Sequence, residues 1–550
     1  MSLTRWIEQI NHSVILMSGW RLYGLIFLVG LVSAFGQAPF HFFPLMFLTF
    51  PVLVFALDGA AADAKKRGFS TLVPAFCRGW MFGFGYFVGG LWWMGSAFLV
   101  NPDRFALLLP LGVMGLPAFL AIFFGVASAL ARRFWCAGPS RILTLAIALA
   151  LTEWLRGFIL TGFPWNNLGY LVAFNDTTMQ GLALVGTPVY AFLAVLIFST
   201  PVALGDFETA RSERRSTKGS QFLISATVLT LIAIFGYGHL RFMANPVSTD
   251  TVEGVNLRIV QPNIAQKDKF DGSKARDILL RHLELSERIT AEGDLGLLET
   301  THLIWPESAF PFILTNHPEV LERIGQMLPS GTVLLTGAVR EERAAERTES
   351  DRYFNSVYVI DDRGTIRDAY DKVHLVPFGE YLPFQSVLES WGLLSFIEVP
   401  GGFQSGPKQQ VVKSGSAPPF LPMICYEVIF PVDLKSDKQL NSARWILNVT
   451  NDAWFGITSG PFQHFHQTRI RAVEEGLPVI RAANNGISAV IDPFGRVLDK
   501  ISLGKSGIID ANLPKSIKLQ ISDELRIILF WTVLAIAVLI RIFTLLSRKY

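Results

Sequence analysis

The chain has 550 residues, of which 51% are hydrophobic and only 17% are charged, and its mean hydropathy is +0.38. Soluble domains usually carry about 25% charged residues, so the composition excludes an ordinary soluble protein and indicates that part of the chain lies in lipid. The net charge of +3 is too small to indicate a nucleic-acid partner. The three cysteines, Cys77, Cys136 and Cys425, lie far apart in sequence and offer no disulfide framework.

Apolar segments long enough to cross a bilayer recur through the first 240 residues and once more near residue 540. A spanning helix needs about 20 mostly apolar residues. The first segment could be a signal peptide, but apolar sequence continues directly after it, so we interpret it as an uncleaved anchor. The eight predicted spans are 14–36, 42–57, 79–100, 105–131, 142–162, 181–205, 222–240 and 525–546.

Lysine and arginine collect in alternate connections between these spans, which gives the predicted orientation. The connections 63–68, 131–141 and 210–219 are basic, whereas the intervening connections are nearly uncharged. Because basic loops stay on the cytoplasmic side of a membrane, we expect both termini to be cytoplasmic. The block 241–522 then lies on the opposite side, which in a bacterium is the periplasm.

The block 241–522 is predicted to form one α/β domain. Helix-period segments such as 274–292 and 461–475 lie between short β-rich runs, which is typical of a largely buried sheet covered by helices. The β-rich runs are GVNLRIVQPN, HLIWPES, TVLLTGAV, NSVYVIDD, FLPMICYE, RWILNVTND, PVIRAANN and ISAVIDPFG. We therefore expect a transmembrane bundle of seven helices at 1–240, the α/β domain at 241–522, and a C-terminal transmembrane helix with a cytoplasmic tail at 523–550.

Reactive side chains follow three of the predicted strands. Glu307 ends the run LIWPES, Lys372 and Glu380 lie in YDKVHLVPFGEY, and Cys425 lies in PMICYE. A carboxylate can deprotonate a thiol if burial raises its pKa, and a lysine can stabilise the thiolate and an oxyanion. These residue types suffice for acyl transfer through a thioester. On spacing alone, however, an isolated buried cysteine is more often a packing residue.

The motifs WPES, YDKVHLVPFGEYLPF and ICYE, in this order, resemble the nitrilase (carbon–nitrogen hydrolase) superfamily with its Glu-Lys-Cys triad. Several membrane spans precede these motifs, and one follows them. The segment 153–170, from EWLRG to TGFPWNNLGY, resembles the membrane region of one membrane-embedded branch of this superfamily. The whole chain resembles the apolipoprotein N-acyltransferase family. The resemblance implies a multi-pass helical domain of about eight spans and an extramembrane nitrilase-like domain, an αββα sandwich.

The resemblance also implies a reaction. In this family the thiolate, here Cys425, attacks an acyl ester of a phospholipid, commonly phosphatidylethanolamine, and leaves a lysophospholipid. The resulting thioester acylates the α-amino group of the diacylglyceryl-cysteine at the N-terminus of an apolipoprotein, in the bacterial inner membrane. Glu307 would be the general base, and Lys372 would stabilise the oxyanions. No cofactor and no metal are implied.

Five further residues are assigned supporting places. By the resemblance, Glu380 positions the triad lysine or the attacking amine, and Tyr426 and Glu427 shape the nucleophile's pocket. Asn355 either orients the triad or only begins a strand. Phe270 stands where the family has an aromatic residue near the site, and it could equally pack in a loop.

One chemical rival uses other residues. Asp452 with His464 or His466 could form a Cys-His-Asp triad with Cys425. The same two histidines invite a metal-site interpretation, but residues two apart on a helix do not share a face, and we expect no metal there. The sequence alone leaves the geometry of the rival triad open.

Two functional alternatives also remain at this point. A membrane-tethered amidase or nitrilase would pass the acyl group to water instead of an amine. A transporter carrying a large periplasmic binding domain would work without the nucleophile, so that Cys425→Ser would leave its activity intact. Glu153 and Arg156 lie in a predicted span, where a charge costs about 2.5–3.5 kcal/mol. We expect them to pair and to face inward, where they either bind a lipid headgroup or hold helices together.

Overall fold

The structure is a computed structural model that describes residues 3–62, 72–212, 214, 216–246, 250–269, 271–289, 295–344, 350–382, 402–431, 439–518 and 521–546. The chain divides into two compact units. The helical unit comprises Met1–Gly95, Leu107–Pro246 and Gln520–Tyr550, and the α/β unit comprises Ser96–Ala106 and Val247–Leu519.

Long apolar helices build the helical unit. Among the described residues, six helical segments are long and apolar enough to cross a membrane, and all six overlap predicted spans: Gly19–Gly36, Phe43–Ala60, Pro102–Arg133, Leu182–Ser212, Lys218–Ala244 and Asp523–Thr544. The described helices of this unit with more than ten residues are α1 Leu3–Leu16, α2 Gly19–Ser33, α3 Met46–Ala62, α4 Leu72–Leu91, α5 Leu116–Arg133, α6 Ser140–Arg156, α7 Leu182–Ser212, α8 Lys218–Ala244 and a C-terminal helix Asp523–Leu546.

The other two predicted spans are also helical but less apolar. Helix α6 is only 17 residues long and includes three charged side chains. Helix α4 begins seven residues before the predicted span 79–100 and ends at Leu91. It is rich in glycine, and a Cβ at Gly85 would meet the carbonyl oxygen of Phe27 at 2.1 Å. Glycine therefore allows α2 and α4 to approach backbone to backbone, the packing that small residues provide between membrane helices.

Glu153 and Arg156 form the buried pair that the sequence predicts. Arg156 Nε lies 3.0 Å from Glu153 Oε1, and Arg156 Nη2 lies 2.8 Å from Glu153 Oε2. The arginine also donates to the carbonyl oxygen of Trp165, and Glu153 accepts from the amide of Leu168. The ion pair thus ties the end of α6 to the polar loop that follows it.

The α/β unit contains two six-stranded sheets within its described residues. The strand orders are β12-β1-β2-β3-β4-β5 and β11-β10-β9-β8-β7-β6. The pairs β1–β2, β2–β3, β7–β8 and β8–β9 are parallel, and the others are antiparallel. The strands are β1 Thr251–Gln261, β2 His302–Ile304, β3 Val333–Glu342, β4 Arg352–Ile360, β5 Ile366–Asp371, β6 Val412–Ser414, β7 Ala417–Ile424, β8 Trp445–Thr450, β9 Val479–Ala483, β10 Ser488–Ile491, β11 Val497–Ile501 and β12 Gly507–Pro514.

The two sheets share one apolar core. Ile259 and Leu335 of the first sheet belong to the same buried cluster as Leu447 and Ile480 of the second. Helices α9, Ala275–Glu287, and α10, Pro318–Met327, bury their apolar sides against the opposite face of the first sheet. Helix α11, Gly460–Glu475, is almost wholly buried beside the second sheet. The predicted αββα sandwich is confirmed.

Candidate active site

The three triad candidates follow strands of the α/β unit. Glu307 lies three residues after β2, Lys372 directly follows β5, and Cys425 directly follows β7. All three side chains are buried, with 6%, 1% and 8% exposure respectively. The charges of Glu307 and Lys372 both act on the Cys425 thiol. The structure therefore brings together, from two different sheets, three residues that are more than 50 positions apart in sequence.

Cys425 occupies a sharp turn at the end of β7. Its φ of +50° is a left-handed conformation that a residue with a Cβ adopts only at a cost. A short 3₁₀ turn, Cys425–Ile429, begins at this residue. The strained turn therefore places the nucleophile at the first residue beyond β7.

Glu427 anchors that turn. Its carboxylate accepts hydrogen bonds from the Ile424 amide at 2.8 Å, the Tyr370 hydroxyl at 2.9 Å and the Val373 amide at 2.8 Å. The His374 amide adds a fourth bond at 3.1 Å. Burial raises the pKa of Glu427, while these amides and the Lys372 charge oppose the rise. Glu427 therefore joins the nucleophile turn to the loop that carries the lysine.

A chain of polar contacts links the candidate base and the candidate lysine. The Asn355 side-chain amide donates to Glu307 Oε1 and to Glu380 Oε1, each at 2.8 Å. Lys372 Nζ lies 2.9 Å from the Glu380 carboxylate. Glu380 also accepts from the Val376 amide at 2.8 Å. Asn355 lies within β4, so a rigid strand sets the spacing between the two carboxylates.

The backbone around Glu307 is tightly enclosed. A Cβ at Gly337 of β3 would lie 2.5 Å from the Glu307 Cα, so only glycine fits there without displacing the loop. Ser308 has a φ of +48°. Lys269 Nζ donates to the carbonyl oxygen of Glu307 at 2.8 Å and is only 2% exposed. The sequence did not indicate Lys269, because the run QKDK is typical of an exposed, charged segment.

Burial and charge together set the protonation states. Burial raises the pKa of the Cys425 thiol well above its usual value, the Glu307 carboxylate adds to this rise, and the Lys372 ammonium opposes it. Burial alone would lower the pKa of Lys372, but Glu380 and then Glu307 and Cys425 raise it. The resting site therefore holds a neutral thiol and a charged lysine, and a base must remove the thiol proton before attack.

A second polar cluster lies beside the nucleophile. Ligand atoms of Cys425, Asp452 and His464 all lie within 4.8 Å of one another. His464 Nδ1 lies 2.9 Å from Asp452 Oδ1, and His464 Nε2 lies 3.1 Å from the main-chain oxygen of Cys425. Arg481 Nη2 pairs with Asp452 Oδ2 at 2.8 Å. The imidazole thus contacts the backbone of the nucleophile turn, and the structure brings together the three residues of the rival triad that the sequence offered.

The electrostatics of this cluster oppose a histidine base. Burial lowers the pKa of His464, and the Arg481 guanidinium lowers it further. Burial would raise the pKa of Asp452, but Arg481 and His464 hold it well below its usual range. Asp452 is already paired by a permanent cation, so its charge is only partly available to support an imidazolium or a metal ion.

The remaining predicted residues are placed as follows. Tyr426 is buried and packs edge-on against Phe430, with ring centroids 5.0 Å apart. His466 is buried in α11. Phe270 lies outside the described residues. Of the five supporting candidates, Asn355 and Glu380 contact triad candidates directly through hydrogen bonds.

Two family models match this chain, each over a separate part. The family model of carbon-nitrogen hydrolases matches residues 257–519, and the model of the apolipoprotein N-acyltransferase N-terminal domain matches residues 29–200. A solved amidase of the nitrilase superfamily from Nesterenkonia is 15% identical, with a TM-score of 0.33 over 48% of this chain and 93% of its own.

Three relatives that align with nearly the whole chain share the name apolipoprotein N-acyltransferase. The apolipoprotein N-acyltransferase of Rhodopseudomonas palustris is 44% identical over 509 residues, which is 92% of each chain. That of Brucella suis is 46% identical over 92% of each chain, and that of Bradyrhizobium diazoefficiens is 42% identical over 100% of each. Identity of this level over nearly the whole length, with both family models matched in order, shows that this membrane protein belongs to the apolipoprotein N-acyltransferase family of transferase enzymes.

Proposed function

We propose that the protein transfers a fatty acyl chain from a phospholipid, with phosphatidylethanolamine as the donor, to the α-amino group of the diacylglyceryl-cysteine at the N-terminus of an apolipoprotein. This is the final step of bacterial lipoprotein maturation. The observation that carries the proposal is the buried Cys425 thiol. The charges of Glu307 and Lys372 both act on its pKa, and the chain belongs to a family of acyltransferases.

In the first half-reaction, Glu307 takes the proton of the Cys425 thiol, and the sulfur attacks the ester carbonyl of the phospholipid. The tetrahedral intermediate carries a negative oxygen, which Lys372 stabilises. Collapse breaks the carbon–oxygen ester bond and forms the thioester. Glu307 returns its proton to the departing alkoxide, so a neutral lysophospholipid alcohol leaves.

In the second half-reaction, the neutral amine attacks the thioester carbonyl. Glu307 takes a proton from the attacking nitrogen, and Lys372 again faces the oxyanion. Collapse breaks the carbon–sulfur bond, forms the amide and restores the Cys425 thiol with the proton held on Glu307. The scheme is ping-pong and needs no ATP, because the phospholipid ester already carries the activated acyl group.

Asn355 and Glu380 act as positioning residues in this scheme. Asn355 holds Glu307 and Glu380 by 2.8 Å hydrogen bonds, and Glu380 holds the lysine at 2.9 Å. Fixed donors and charges need no reorganisation when charge develops, which is the basis of electrostatic catalysis. Tyr426 and Glu427 complete the pocket by shaping the nucleophile turn.

The reaction site belongs at the surface of the bacterial inner membrane, since donor and acceptor are both anchored there. We propose a periplasmic catalytic domain at 241–522, flanked by a transmembrane bundle at 1–240 and a C-terminal span with its tail at 523–550. Both termini are cytoplasmic in this arrangement. The basic connections between the predicted spans support it.

A product analysis tests the proposal and separates it from the hydrolase alternative. Purified full-length protein in mixed micelles receives phosphatidylethanolamine with a labelled acyl chain and a synthetic diacylated lipopeptide. We expect the lipopeptide to gain one acyl group on its α-amine, together with one equivalent of lysophospholipid, by mass spectrometry. Labelled free fatty acid without N-acylated lipopeptide would instead favour a hydrolase, and turnover by a Cys425→Ser variant would favour a function independent of the thiol.

A further inference from the structure

We propose that Lys269 is a second cation of the reaction centre, a positioning residue that fixes the Glu307 backbone and stabilises negative charge as it moves between Glu307 and Cys425. The inference rests on the proposed function, because it assigns Lys269 a place in the proton transfer that opens the first half-reaction. The sequence gives no sign of this place, since Lys269 lies in a short charged run.

The position of Lys269 is unusual for a lysine. Its side chain is 2% exposed and its Nζ donates 2.8 Å to the carbonyl oxygen of Glu307. Burying an ammonium group costs several kcal/mol unless nearby charges and acceptors compensate it. The compensating groups here are those of the reaction centre, because the negative charges of Glu307 and of ionised Cys425 act on Lys269.

The charges around the triad show why one lysine is not enough. Lys372 is held 2.9 Å from the Glu380 carboxylate, so its charge is largely engaged with that partner. Glu307 adds a second carboxylate to the same buried region. Lys269 supplies a second positive charge, so that Lys269 and Glu307, like Lys372 and Glu380, form a neutral pair.

Neutrality is retained when the thiol proton moves to Glu307. The negative charge then shifts from the carboxylate to the sulfur, and a charge at either position raises the pKa of Lys269, whose Nζ is held at the Glu307 main-chain oxygen. Without Lys269 the same transfer would take place in a region with one uncompensated negative charge. In a medium of low dielectric constant such a charge disfavours the thiolate strongly.

The protonation of Lys269 gives the inference a measurable signature. Burial lowers the pKa of Lys269 to about 8, although Glu307 and Cys425 oppose the shift. The Lys269 charge also acts on His282, whose pKa is lowered to about 4, chiefly by burial, so His282 is neutral in this range. Lys269 is charged below pH 8 and loses its charge above it. We therefore expect acylation of Cys425 to decline as the pH rises through 8.

The experiment measures single-turnover acylation of Cys425 by labelled phosphatidylethanolamine between pH 6 and 10, without acceptor, in the full-length protein. Lys269→Met removes the charge, Lys269→Arg keeps it, and Lys267→Met changes an exposed lysine of the same segment. We expect Lys269→Met to lose at least ~30-fold in rate near pH 7. Lys269→Arg should recover most of that rate and lose the decline above pH 8, because guanidinium stays protonated. Lys267→Met should match the unchanged protein.

Alkylation of Cys425 by iodoacetamide over the same pH range separates this inference from the proposed function. Slower alkylation of Lys269→Met supports the role of Lys269 even if no phospholipid acylates the protein. The absence of acylation would contradict the proposed donor and not the role of Lys269. Wild-type rates of alkylation and acylation in Lys269→Met would overturn the inference. If Lys269→Met does not fold, the pH profile decides: an alkaline decline that persists unchanged in Lys269→Arg also overturns it.

Discussion

The side-chain amide of Asn355 donates a 2.8 Å hydrogen bond to Glu307, and the same nitrogen donates at 2.8 Å to Glu380. One strand residue thus holds two buried carboxylates that would otherwise repel each other. Because Glu380 in turn contacts Lys372, the spacing of base and lysine depends on a single amide.

Asn355→Leu should therefore impair catalysis more than folding. Leucine has a similar size but offers no donor, so Glu307 loses its orientation and the two carboxylates face each other unscreened. We expect kcat for acyl transfer to fall about 100-fold, with little change in KM for the phospholipid, since misplacement of a catalytic group has costs of this order. Asn316→Ala changes an exposed asparagine and serves as the control. A wild-type kcat in Asn355→Leu would show that catalysis does not need the Asn355 amide.

Gly337 is expected to tolerate no side chain. An alanine Cβ there would lie 2.5 Å from Glu307 Cα and 2.8 Å from the Ser308 amide nitrogen, which forces the Glu307 loop to move. We expect Gly337→Ala to lower acylation by at least ~10-fold and to lower the melting temperature, because both effects follow from backbone displacement. Gly272→Ala is the matched control, since its Cβ would meet no atom within 4 Å. Equal rates in the two variants would show that the loop position is not needed.

The two possible bases for Cys425 can be separated by parallel variants. His464 lies within hydrogen-bond distance of the main-chain oxygen of the nucleophile and of Asp452, whereas the charge of Glu307 raises the pKa of the Cys425 thiol. His464→Gln should lose about 1–3 kcal/mol of stability from the broken buried hydrogen bonds and keep acylation within ~10-fold of the original rate. Glu307→Gln should lose at least ~1000-fold, as expected for a general base. The reverse order of effects would establish the Cys-His-Asp triad.

Acid should destabilise the α/β unit through His282. Burial lowers the pKa of His282 to about 4, while an unfolded histidine titrates near 6.5. The unfolded state therefore binds this proton first as the pH falls. The contribution of His282 to the free energy of unfolding is fully present above about pH 6.5 and is lost progressively down to about pH 4. The expected loss is on the order of 3 kcal/mol.

Melting temperatures of the full chain between pH 7 and 4.5 check this expectation. His282→Phe keeps an aromatic ring beside Trp305, whose centroid lies 4.9 Å from that of the imidazole, and should flatten the decline. His317→Gln alters an exposed histidine and should leave the slope unchanged. The same slope in His282→Phe and the original protein would assign the acid sensitivity to other groups.

The predicted strands and the missed strands differ in a physical way. Those that the sequence revealed, such as β3 and β8, are rich in apolar residues and largely buried, because both faces of the sheet are covered. By contrast, β5 has the sequence IRDAYD and β11 has VLDKI, and both lie at sheet edges with exposed charged residues. Edge strands need no apolar run, so hydrophobic patterning does not reveal them.

The site shows a similar limit. Glu307, Lys372 and Cys425 could be proposed because each follows an apolar run within a recognisable motif. Asn355 and His464 could be named only as candidates with an open alternative, because their contacts depend on chain segments far apart in sequence. Lys269 was missed, since nothing in its local sequence indicates its contact with Glu307. The partners of these three residues lie beyond the ends of other strands, so the contacts form only when β1, β2, β4 and β5 pair in the first sheet and when β7 and β8 pair in the second.

The central claim is that Cys425 carries the acyl group as a thioester. The most direct measurement is the mass of the protein after incubation with phosphatidylethanolamine of defined acyl chain and no acceptor, followed by mapping of the modified peptide. We expect a gain of one acyl group on the peptide that contains Cys425, its removal by hydroxylamine or by a diacylated lipopeptide, and no gain in Cys425→Ala. An acyl group bound equally by Cys425→Ala, or turnover with no adduct on Cys425 at any time, would contradict it.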